Sequence, residues 1–112
     1  MKKINILKES KEFDRIIHNN KPLKYKDYII YIEKDDNIKY YNFGLSVGKK
    51  VGNAVCRNKI KRQLKSIIDK KDYQNNFKCI IIVGKGIKEK SFNEIETNLF
   101  NALEQLDIIR EK

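Results

Sequence analysis

From Tyr40 to Gly48 the chain alternates without a slip, with Tyr41, Phe43, Leu45 and Val47 on one side and Asn42, Gly44, Ser46 and Gly48 on the other. A period of two places successive side chains on opposite faces of a pleated strand, so this segment predicts a strand with one apolar face and one nearly bare one. The period then changes. From about residue 53 to 68, Ile60, Leu64, Ile67 and Ile68 recur on one helical stripe. Phe77 to Val83 follows as a short apolar run closed by Gly84, the pattern of a buried strand. Strand, helix and strand in that order predict parallel pairing of the two strands, with the helix crossing between them.

The flanking segments complete the outline. Phe13, Ile16 and Ile17 fall at helical spacing between Ser10 and His18, with Ser10 read as the N-cap and Glu12 and Asp14 in the first turn. After Pro22, Tyr28 to Glu33 reads as a strand, and Asp35, Asp36 and Asn37 predict a hairpin joining it to the alternating run. Gly84-Lys85-Gly86 turns the chain into a last helix, where Ser91 and Glu94 form a capping box and Ile95, Leu99, Ala102, Leu103 and Leu106 share a face. The predicted fold is α+β, a two-layer α/β sandwich of order α-β-β-(β)-α-β-α with a mixed sheet. No repeat or linker divides residues 1–112, which read as one domain. At 112 residues a single core needs no disulfide, and Cys56 and Cys79, with no CxxC, read as reduced thiols. No apolar run approaches the roughly 20 residues that span a bilayer, and no signal-peptide core opens the chain. The expectation is a soluble, cytoplasmic protein with no membrane partner.

Charge points to the partner. Lysine and arginine total 25 against 15 acids, a formal net charge of +10, which favours an anionic ligand. Arrangement says more than count. At 100° per residue Arg57, Lys61 and Lys65 lie within about 80° of one another, and Asn58 and Arg62 widen the arc to about 140°. Lys59 points elsewhere. No acid occurs from Asn37 to Ile68, and with Lys49 and Lys50 the segment 49–65 carries seven positive charges. A solvated helix face is the plain alternative. Such faces normally mix signs, because like pairs four apart cost roughly 0.2 to 0.5 kcal/mol each, so an unrelieved cluster favours phosphate as its neighbour. Beside it, Gly44, Ser46 and Gly48 leave a shallow groove that Ile29 and Tyr31 line and Phe13 and Ile17 wall. A groove of this kind suits unstacked bases of single-stranded nucleic acid. Ordinary core packing accounts equally well for Phe13 and Tyr31 from spacing alone.

Phe43-Gly-Leu-Ser-Val-Gly-Lys-Lys-Val-Gly-Asn-Ala-Val-Cys-Arg-Asn-Lys-Ile-Lys-Arg-Gln-Leu-Lys65 closely resembles the signature of the protein subunit of bacterial ribonuclease P, including its Arg-Asn-x-x-Lys-Arg helix. The resemblance implies a protein that does not itself cleave. A large RNA, present with about one protein copy, removes the 5′ leader of precursor tRNA using magnesium ions held mainly by that RNA. By resemblance Lys49, Lys50, Asn53, Arg57, Asn58, Lys61, Arg62 and Lys65 contact the catalytic RNA, and Phe13, Ile17, Ile29, Tyr31 and Ser46 line the leader groove. No metal site or small-molecule ligand is expected on the protein. The pattern departs at Ile17, often aromatic in the family, and at Lys65, often arginine, which loses a bidentate fork but keeps a charge. The resemblance also implies a left-handed crossover, against the general right-handed rule.

Three other functions fit less well. A nuclease acting alone needs clustered carboxylates or a histidine pair, whereas His18 is the only histidine and Asp35 and Asp36 sit in a turn. Gly44-Leu-Ser-Val-Gly-Lys-Lys has three residues between its glycines and no following Ser or Thr, so it is not a P-loop. A structural RNA-binding protein of ribosomal type, with no role in processing, is the remaining alternative.

Overall fold

The structure, a computed structural model, describes residues 1–110. A 3-10 turn at Lys3–Asn5 leads into helix α1 (Ser10–Asn19) and three strands, β1 (Leu23–Tyr25), β2 (Tyr28–Lys34) and β3 (Tyr41–Val47). Helix α2 (Ala54–Ile68), strand β4 (Phe77–Val83), a 3-10 turn at Lys85–Glu89 and helix α3 (Phe92–Gln105) follow. The strands form one mixed sheet of order β1-β2-β4-β3. β3 and β4 run parallel from Tyr41 opposite Phe77 to Val47 opposite Val83, as the strand-helix-strand pattern predicts.

The expected hairpin between β2 and β3 does not form. β2 pairs antiparallel with β4, so β4 lies between the two. The turn itself is real, since Asp35 Oδ1 accepts from the Asn37 backbone. Its ends are instead tied to the residue before β4: Asp35 donates to the Asn76 carbonyl and Asn76 donates to that of Tyr40, each at 2.8 Å. Burial explains the order. Cys79, Ile80 and Ile81 of β4 are inaccessible to solvent, and a strand apolar on both faces belongs in the centre of a sheet. The hairpin lies one strand earlier, between β1 and β2, where Tyr25 opposes Tyr28 and Lys26 takes a left-handed conformation with φ 52°.

One face of the sheet carries α2 and α3. Tyr28, Ile30, Phe43, Val47, Phe77, Cys79, Ile81 and Val83 meet Ile60, Leu64 and Ile67 of α2 and Ile95, Leu99 and Leu103 of α3 in the main core. Phe43, Tyr73 and Phe77 pack edge to face at 5.0 to 5.5 Å between centroids. Ser91 and Glu94 form the expected capping box on α3. Cys79 is buried and Cys56 partly so, both free. The other face is covered only in part. α1 lies there, and Ile16 and Leu7 seal Ile80 beneath it. The two-layer arrangement therefore describes the α2–α3 side, and α1 adds a partial third layer. α1 begins at Ser10 with Glu9 in the N-cap position and no side-chain cap, so Ser10 does not play the capping role its sequence position suggests.

Candidate nucleic-acid interface

Asn53 starts the basic helix. Its Oδ1 accepts from the Cys56 backbone at 2.9 Å, satisfying one of the free amides of the first turn. The preceding glycine makes room for this start, because a Cβ at Gly52 would lie 3.0 Å from Cys56 Cβ and Sγ. Ile60, Leu64, Ile67 and Ile68 are then buried as one stripe, and their burial fixes which residues face outward. Asn58 and Arg62 are exposed, whereas Arg57, Lys61 and Lys65 are half-buried along the flank. Lys49 and Lys50 stand exposed in the turn between β3 and α2, closed by the Val51 backbone donating to Gly48 at 3.0 Å. Lys59 lies apart, in a cleft with Ile87 and Phe92.

No carboxylate among the described residues pairs with this cluster. Among the described residues the ion pairs are Met1 ammonium to Asp69, Arg15 to Glu12 and Glu33, Lys70 to Glu96, and Lys78 to Glu12. None involves Lys49, Lys50, Arg57, Lys61, Arg62 or Lys65. Asp69, the first acid after the helix, is held by the N-terminal ammonium at 2.7 Å. The Arg57 Nε lacks any hydrogen-bond partner among the described residues. The residues that spacing groups on α2 thus share its outer face and flank, without an ion-pair partner among the described residues.

The open sheet face is organised in rows set by strand register. Tyr31, Ile80 and Gly44 form one row, and Ile29, Ile82 and Ser46 the next. The first row is not bare. The Phe13 ring sits on Gly44, so closely that a Cβ there would lie 2.4 Å from Phe13 Cζ. Phe13, Ile17, Tyr31 and Ile82 are half-buried around the Leu7–Ile16–Ile80 cluster. The two readings of Phe13 and Tyr31, packing and groove, are therefore both realised: each side chain packs on its inner side and shows a flank to solvent. The floor left open is the second row, with Ile29, Ile82 and Ser46. Sequence reading missed Ile82, because an apolar run hides which of its residues is the less buried one.

A third row closes the groove. Glu33, Lys78 and Asn42 align across the sheet, and Arg15 donates to Glu12 at 2.7 Å and to Glu33 at 2.8 Å while Lys78 reaches Glu12 at 3.1 Å. The Arg15 hydrogen bond, and after it that of Lys78, holds the Glu12 carboxyl below its ordinary range, and the bond to Glu33 raises Arg15. Paired carboxylates at this end repel an anion less than bare ones would.

The family profile described as Ribonuclease P matches residues 1–107. The chain belongs to the ribonuclease P protein family. It is 36% identical over 113 residues to the ribonuclease P protein component of Streptococcus gordonii, spanning 99% of this chain and 93% of that protein. It superposes on the Staphylococcus aureus RNase P protein with TM-score 0.85 and 26% identity over 95% of this chain and 98% of that one. A Thermotoga maritima RNase P protein, solved with 1-(4-fluorophenyl)-2-thiourea, shares the fold at TM-score 0.72 and 24% identity over 80% of this chain and 89% of that chain. Membership ties the chain to ribonuclease P and to tRNA processing rather than to a ribosomal role. No helix among the described residues is long and apolar enough to cross a membrane.

Proposed function

We propose that this chain is the non-catalytic protein subunit of a cytoplasmic ribonuclease P and binds two stretches of RNA at once. The outer face of α2, with Asn58, Arg62, Lys61, Lys65 and Arg57 and the nearby Lys49, Lys50 and Asn53, takes the phosphate backbone of the catalytic RNA. The open row of Ile29, Ile82 and Ser46, flanked by Tyr31, Phe13 and Ile17, takes the 5′ leader of precursor tRNA. The observation that carries the reading is the set of cations around α2 with no carboxylate partner among the described residues. Such a surface gains affinity by displacing counterions from a polyanion.

Cleavage itself belongs to the RNA in this reading. The described residues include no cluster of three His, Cys, Asp or Glu side chains that could hold a metal ion, and the reading assigns the magnesium ions to the RNA. The protein's own share is positioning and charge neutralisation, which let the RNA fold and hold its substrate with fewer metal ions. Reconstitution tests this. Adding the protein to a bacterial ribonuclease P RNA at limiting magnesium should restore cleavage of precursor tRNA. Cleavage that stays at the level of RNA alone would contradict the assignment.

A further inference from the structure

A depression of about 250 Å³ lies between the N-terminal segment and α2, at the edge of β3. Its wall is apolar, with Ile6, Phe13 and Leu45, and Lys8, Lys61 and Lys65 also line it. The N-terminal segment is fixed there by Leu7, whose backbone donates to the Phe43 carbonyl at 2.9 Å. Asn5 Nδ2 adds a bond to the Tyr41 carbonyl at 2.7 Å. Among the described residues no carboxylate lines the depression, and Glu9 and Glu12 face the adjoining one.

We infer that this pocket receives one unstacked nucleotide of the catalytic RNA, its base against Phe13, Ile6 and Leu45 and its phosphate among Lys8, Lys61 and Lys65. The inference rests on the RNA-binding reading of α2. Three features favour a nucleotide. The volume admits one ring system, apolar walls suit a base face, and three lysines from two separate elements meet the one charge a phosphate brings. Continuity favours the catalytic RNA as its source, because Lys61 and Lys65 belong to the helix that grips its backbone. Phe13 joins the pocket to the groove, so one aromatic ring borders both strands of RNA.

Amide shifts of the full chain, titrated with AMP, ribose 5-phosphate or inorganic phosphate, test the pocket. AMP should shift Ile6, Phe13 and Leu45 saturably, ribose 5-phosphate should shift them little, and Lys8→Ala should weaken the AMP response several-fold. Equal shifts with AMP and ribose 5-phosphate, or AMP shifts confined to Ile29, Tyr31 and Ile82, would overturn the inference. Lys8→Ala should also weaken binding to the RNA subunit several-fold with or without precursor tRNA. A loss seen only when a leader is present would place the leader there and overturn the assignment. Failure of the pocket with RNA affinity still lost in Arg57→Ala/Arg62→Ala would leave the α2 reading intact.

Discussion

Asn53 holds the first turn of α2 and stands at the edge of the proposed RNA contact, and two substitutions separate these roles. Asn53→Ala removes the cap on the Cys56 amide and should cost about 1 kcal/mol in chemical denaturation. Asn53→Asp keeps an acceptor oxygen and adds a charge that a helix N-terminus favours. Its melting temperature should be unchanged or higher while its affinity for the RNA subunit falls several-fold; retained affinity would remove Asn53 from the interface. Gly44 is a second informative residue. With Phe13 Cζ 2.4 Å from where a Cβ would sit, Gly44→Ala must push the ring aside, and a loss of about 1 kcal/mol is expected. Preference for precursor over mature tRNA should fall with it. An unchanged denaturation curve would show that the ring is not seated there. From sequence, Gly44 read as an empty floor because a period-two pattern reports which way a residue faces, not what a distant helix lays on it.

At the scale of elements, α1 is held to the sheet by packing at Ile16 and by the Glu12–Arg15–Glu33–Lys78 network. The Glu12 carboxyl is held below its ordinary range chiefly by Arg15, so the unfolded chain binds that proton more readily than the folded one. The stabilisation is complete above the ordinary glutamate range and is lost as pH falls through the lower folded-state value. Glu12 is partly solvated, so Glu12→Gln should cost no more than about 1 kcal/mol near neutrality, a deficit that closes as pH falls through the lowered folded-state value. Thermal melts of both proteins across that range check it, and a deficit persisting in acid would mean the side chain acts by packing. Elements with a long clean period were legible: α2 with its Ile60–Ile68 stripe, α3 with its Ser91–Glu94 cap, and the β3–β4 pairing. The partner of β2 was not, because Asp35 and Asn37 fix only a local reversal while the position of β4 is decided by burial on both its faces. β1 is three residues long and the segment before α1 has no period, so Lys8 and the pocket beside it gave no signal.

For the whole molecule, the net charge of +10 matters less than its separation. Glu12 of α1 pairs with Arg15 and Lys78 and Glu96 of α3 with Lys70, whereas the cations of α2 and the turn before it have no ion-pair partner among the described residues. That separation was legible in the acid-free run from Asn37 to Ile68, and the spatial fact the sequence lacked was that among the described residues no distant carboxylate pairs with it. The most direct measurement is the affinity for a bacterial ribonuclease P RNA as a function of salt, for the native chain and for Arg57→Ala/Arg62→Ala. The native chain should show a steep linear fall of log affinity with log salt. The double variant should bind more weakly at every salt concentration, with a slope shallower by about two and a melting temperature unchanged or slightly higher. Equal slopes, or a variant that loses RNA binding only because it unfolds, would contradict the claim that these cations exist to meet a phosphate backbone.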